Sequence, residues 1–238
     1  SPAAAAALAA PGGTWGSLSR DLTGFEGYGA QGWVKQGLEW ARLPGAVPVK
    51  TFAAYRWRGR TQHRPFYNSH GPALAVELSK SFVDLGLDFS WQRFPELSRS
   101  VEQRELYGTW YKHWNLVRGG GRFACFSFAG LPLSSWGRLS HDLEGVEGNG
   151  AQGWLSQGVE WVRLGGWALK TQAAYRWRLR SKERTYYNVF GPSAGVELSG
   201  RVADVGLEYA WRDYPDLRRK ETALQLYVNW YHAWTLHR

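Results

Sequence analysis

The sequence predicts an all-β chain folded as an internally duplicated, antiparallel up-and-down barrel of about twelve strands, six from each half. Three observations lead there. The chain repeats itself: WGSLSRDLTGFEGYGAQGWVKQGLEW returns as WGRLSHDLEGVEGNGAQGWLSQGVEW, and KTFAAYRWRGR as KTQAAYRWRLR. Trp15 recurs as Trp136 and Lys50 as Lys170, at offsets of 121 and 120 residues. Solenoid and propeller repeats run roughly 20–50 residues, so this is a duplicated multi-strand unit. Period-2 alternation of apolar and polar residues dominates the chain. Finally, the connections alternate in length. Pro44-Gly45, Lys80-Ser81 and their copies Gly165-Gly166 and Gly200-Arg201 are tight turns, whereas TGFEGYG, TQHRPFYNSHG and FPELSRS are longer.

The strands of the first half are expected at 14–22, 30–43, 47–60, 72–79, 82–93 and 101–116. Most are longer than the usual 5–6 residues of a globular strand. They suit the roughly 9–11 residues a tilted strand needs to cross a bilayer. The chain divides into an N-terminal extension (1–13), a first six-strand repeat (14–117), a connecting segment (118–133) and a second six-strand repeat (134–238), both repeats closing one barrel. Within the connection, 123–128 is expected to extend the first strand of the second repeat. The opening SPAAAAALAAPGG reads as the start of a processed chain or the tail of a targeting segment. Its apolar run is short of the roughly 20 residues of a membrane helix, and no transmembrane helix is expected.

Each strand has one apolar and one polar face. The fifth opposes Val83, Leu85, Leu87, Phe89 and Trp91 to Asp84, Gly86, Asp88, Ser90 and Gln92. Two arrangements satisfy this: a barrel with its apolar face in lipid and its charges in the lumen, or two sheets packed as a soluble sandwich. Tryptophans favour the barrel. Trp40, Trp57, Trp91 and Trp114, with copies Trp161, Trp177, Trp211 and Trp234, fall near strand ends, where interfacial aromatic belts sit. Small residues interleaved with Arg and acids on the polar face also suit a confined interior.

On alternation, strand length, loop asymmetry and aromatic ends, the chain after residue 13 resembles bacterial outer-membrane β-barrel proteins. That resemblance implies a bacterial outer-membrane location, the lipid bilayer as a partner, and a non-enzymatic role: a narrow pore, or the membrane anchor or channel of a surface or export assembly. The alternative is a periplasmic or secreted tandem β-domain protein binding carbohydrate through exposed aromatics.

Composition and charge bound the chemistry. Net charge is +9 with 16% aromatic residues, Trp 15 and no Ile; the sequence pI is about 9.8 and mean hydropathy is −0.44. Anionic solutes, polysaccharide or other envelope proteins are therefore candidate partners. Nucleic acid is not, because the Arg residues share one strand face with acids on neighbouring strands. The single cysteine, Cys125, excludes an intramolecular disulfide or a Cys-rich metal site. No HExxH, CxxC, Walker or Rossmann pattern occurs, so neither cofactor nor metal is expected. Ser69, His70 and Glu77 form the one local grouping that resembles a catalytic set, and it reads better as a polar loop. The polar residues matched between halves are more informative. Lys50, Arg56, Arg58 and Arg60 recur as Lys170, Arg176, Arg178 and Arg180. Glu39, Glu77 and Asp84 recur as Glu160, Glu197 and Asp204. Buried charges must pair, so these are expected to form a lumenal network, either filling the barrel or lining it for anions or acidic sugars. Arg64, Tyr67 and Asn68, with Arg184, Tyr187 and Asn188, lie in the long loop and are candidate rim contacts for a partner or glycan.

Overall fold

The computed structural model describes residues 9–23, 28–61, 68–115, 132–144, 149–181 and 188–237. They form twelve strands: β1 (Ala9–Asp21), β2 (Gly29–Leu43), β3 (Val47–Arg60), β4 (Ser69–Lys80), β5 (Val83–Phe94), β6 (Arg99–Asn115), β7 (Pro132–Glu144), β8 (Gly150–Leu164), β9 (Trp167–Arg180), β10 (Val189–Ser199), β11 (Ala203–Tyr214) and β12 (Arg219–His237). Each pairs antiparallel with its chain neighbours, and β1 closes on β12 from Ala9↔His237 to Asp21↔Gln225. The sheet is one closed barrel, so the alternative of two packed sheets does not form. Closure leaves no open edge of unpaired backbone groups, which lipid could not satisfy.

The strand bounds follow the expected ones closely, and the differences have reasons. β1 begins at Ala9, inside the expected N-terminal extension. Pro11 and Gly12 read as strand breakers, but β12 runs far enough to pair them with Thr235 and Trp234. A proline near the start of a strand is tolerated there. Likewise β7 takes Pro132 and Leu133 from the expected connecting segment, while the expected strand extension at 123–128 and Cys125 lie outside the described residues. The expected long connection after the fifth strand is instead tight. A single 3-10 turn, Pro95–Leu97, is closed by Ser98 in the left-handed region (φ 48°), whose N–H donates to the Pro95 carbonyl at 3.1 Å. Pro215–Leu217 and Arg218 repeat it. At the opposite end Gly45 (φ 81°) and Gly165 (φ 60°) occupy backbone conformations that glycine adopts without strain.

Alternation sorts the side chains. In β5, Leu85, Leu87, Phe89 and Trp91 are exposed on the outside, while Gly86, Asp88 and Ser90 are buried on the inside. In β4, Leu74, Val76 and Leu78 are outside and Ala73, Ala75 and Glu77 inside. Water would not tolerate so continuous an apolar exterior; it is the surface that a bilayer-spanning barrel presents. What core there is sits in the lumen, where Phe52, Ala75 and Tyr107 pack together against Trp15.

Candidate functional site

The lumen is built in layers of charge. At the loop end Arg60 pairs with Asp21, and its copy Arg180 with Asp142; all four side chains are buried. Below, Arg56 pairs with Asp88, Arg138 with Glu105, and Arg176 with Glu208 at 2.7 Å. Nearer the turn end, Lys50 lies 3.9 Å from Glu77 and donates to the Ser79 hydroxyl at 2.7 Å. Lys170 repeats both contacts with Glu197 and Ser199, at 3.9 and 2.7 Å. The Tyr107 hydroxyl donates to Glu77 at 3.0 Å and that of Tyr227 to Glu197 at 2.9 Å. Glycine makes this reach possible. A Cβ on Gly86 or Gly206 would collide with the Tyr107 or Tyr227 ring lying over it. Asp84 accepts from Thr109 at 3.4 Å, and Asp204 from Ser199 at 2.5 Å.

Not every expected member joins the lumenal network. Glu39 and Glu160 hold local partners at the turn end, Arg42 at 2.5 Å and Arg163 at 2.9 Å. Arg58 and Arg178 face a lumenal hollow of about 250 Å³ at the loop end, together with Gln92, Gln152 and Phe94. Asn68 ties strand ends together: it accepts from the Arg60 backbone N–H and donates to Glu96. Asn188 does the same with the Arg180 N–H at 2.6 Å and Asp216 at 3.4 Å. Arg64, Tyr67, Arg184 and Tyr187 lie outside the described residues. Ser69, His70 and Glu77 are not brought together as a catalytic set. Ser69 and Glu77 face the lumen, while His70 faces outward and shares a hydrogen bond with Tyr55 at 2.9 Å.

Several lumenal residues stand outside the set of charges matched between halves. Asp88, on the polar face of the fifth strand, recurs as Glu208, an acid of different length. Lys35, 3.6 Å from Glu77, and Arg138 have Ser156 and Ser17 at the equivalent positions, so comparing halves cannot find them. Trp33, Trp136 and Trp154 point into the lumen, beside a second hollow of about 500 Å³.

On the outer wall the eight tryptophans near strand ends fall at two levels. Trp57, Trp91, Trp177 and Trp211 lie toward the loop end, and Trp40, Trp114, Trp161 and Trp234 toward the turn end. Their separation is set by register. Trp91 is level with Glu102, and Trp114 lies 12 residues farther along β6. Strands rise about 3.3 Å per residue and tilt about 40° in such barrels, which puts the two levels about 30 Å apart. The hydrocarbon core of a bilayer is also about 30 Å thick.

The sequence matches no protein-family model and no curated protein. The fold, however, matches solved structures. LpxR from Salmonella typhimurium superposes with a TM-score of 0.52 over 92% of this chain and 99% of that one, at 8% identity. A structure from a study of the in-meso crystallization of membrane proteins gives 0.51 over 94% of this chain and 84% of that one, at 9% identity. At such identities the likeness is one of fold, and the chain has the fold of the bacterial outer-membrane β-barrels.

Proposed function

We propose that the chain is a non-enzymatic barrel of the bacterial outer membrane whose lumen is a narrow solute pore. The observation that carries this is open space on the inner wall. Trp33 and Arg176 point inward, yet Trp33 is 38% exposed and the Arg176 side chain 50%. A lumen filled from end to end would bury both. The lumenal ion pairs hold the wall in shape, because a buried charge left without its partner is costly. On the outside, the two tryptophan levels are assigned to the bilayer interfaces.

The test is conductance of the purified barrel in a planar bilayer. A narrow pore gives small, discrete current steps, and Arg176→Ala, which widens the inner wall, enlarges them. A bilayer that stays silent although the protein is heat-modifiable on a gel contradicts the pore. That outcome favours the second reading, an anchor for a surface or export assembly, which the tightly packed group around Phe52 supports.

A further inference from the structure

The duplication places equivalent positions on opposite sides of one lumen, and the two sides are not alike. On the side built mostly from the first half, the inner wall is plugged. Lys35 lies 3.5 Å from the Phe52 ring centroid, Trp15 packs edge-on to Phe52 at 5.6 Å, and Arg138 stacks 4.2 Å from the Tyr107 ring while pairing with Glu105. Rotating that group onto its copy keeps Trp15 and Tyr107, as Trp136 and Tyr227, but changes the residues packed around them. Lys35 becomes Ser156, Phe52 becomes Gln172, Ala75 becomes Gly195, Glu105 becomes Gln225, and Arg138 becomes Ser17. Each change leaves a smaller or an uncharged side chain. The hollow of about 500 Å³ lies there, with Ser156, Gln172, Gln225 and Ser17 in its wall. Its size falls within the roughly 300–1,000 Å³ of small-molecule sites.

Its chemistry is distinctive. Trp33, Trp136 and Trp154 enter the wall among hydroxyl and amide side chains. Its charges are already engaged: Arg176 with Glu208 at 2.7 Å, Lys170 with Glu197 at 3.9 Å, and Asp204 with the Ser199 hydroxyl at 2.5 Å. Among the described lining residues, Lys170 and Arg176 face three carboxylates, Glu197, Asp204 and Glu208, which leaves no surplus cation for an anion. Indole faces pack against C–H-rich rings, and amides and hydroxyls donate to and accept from hydroxyl groups. We infer that this hollow is a binding site for a neutral saccharide, on the open side of a lumen whose other side is plugged. The inference rests on the pore reading only for how the sugar arrives.

Binding is therefore measured apart from conduction. Titration calorimetry on the detergent-solubilised full chain uses three neutral trisaccharides (maltotriose, cellotriose and triacetylchitotriose) and one trisaccharide of uronic acids. At least one neutral sugar is expected to bind, and more tightly than the uronate. Trp154→Ala should weaken it by about tenfold, since a well-placed aromatic contact contributes on that order. The double change Ser156→Lys with Gln172→Phe, which rebuilds the plug, should abolish binding. Heat-modifiability on a gel checks that each variant folds, and Trp154→Ala suffices if the double variant does not. Flat titrations with all three neutral sugars, a tighter uronate, or unaltered affinity in folded Trp154→Ala would each overturn the site. Sugar binding by a barrel that conducts no current would sink the pore reading and leave the site standing.

Discussion

Asp21 and Arg42 illustrate how differently a charge behaves inside and outside this wall. Asp21 faces Arg60 with both side chains 5% exposed, whereas Arg42 meets Glu39 at a turn with 62% of its side chain in solvent. Removing one member of a buried pair leaves the other charge without its opposite, at a cost of about 3–5 kcal/mol. An exposed pair contributes about 0–1 kcal/mol. Asp21→Ala should therefore lower the temperature at which the folded gel band converts to the unfolded one, and Arg42→Ala should leave it nearly unmoved. Equal shifts would contradict the assignment of Asp21 to the interior. Which charges belong to the network was partly legible in the sequence, because Lys50, Arg56 and Arg60 recur at matched positions in an alternating strand. Which partner each takes was not. Arg56 lies in register with Gly71 on β4 yet pairs with Asp88 on β5, reaching past Gly71, Ala73 and Ala75. Such diagonal reach depends on register and on small intervening residues, and neither is visible along a single strand.

At the scale of the strand, the faces were legible because a period of two leaves few alternatives. The ends were less so. Gly12 and Pro11 look like breakers until the length of β12 is known, and FPELSRS looks like a loop until the 3-10 turn closes it. The facing of the strands makes a depth-dependent prediction. Leu85 points outward midway between the two tryptophan levels, and Thr222 points outward level with Trp211. An arginine at the bilayer midplane costs about 2–4 kcal/mol, and one near the interface about 0–1 kcal/mol. Folding into lipid vesicles followed by denaturant titration should rank Leu85→Arg well below Thr222→Arg. The reverse order would move the membrane boundaries away from the tryptophans.

At the scale of the molecule, duplication could build a barrel only because the two copies close on each other, β1 with β12 and β6 with β7. A fragment of residues 1–117 carries six strands and two open edges. It is expected to give no heat-modifiable monomer, only aggregate or a paired species. A folded monomeric fragment would contradict the single shared barrel. Duplication also lets the halves diverge, and the exchange of Phe52 for Gln172 across the lumen is where they do so most consequentially. The sequence displays that exchange, but its meaning depends on both residues facing one interior. The most direct test of the whole account is expression behind a signal sequence, membrane fractionation, and a gel run with and without boiling. A band in the outer-membrane fraction that shifts on boiling is the predicted result. A protein that stays monomeric in buffer without detergent, with no shift, would contradict an outer wall made for lipid.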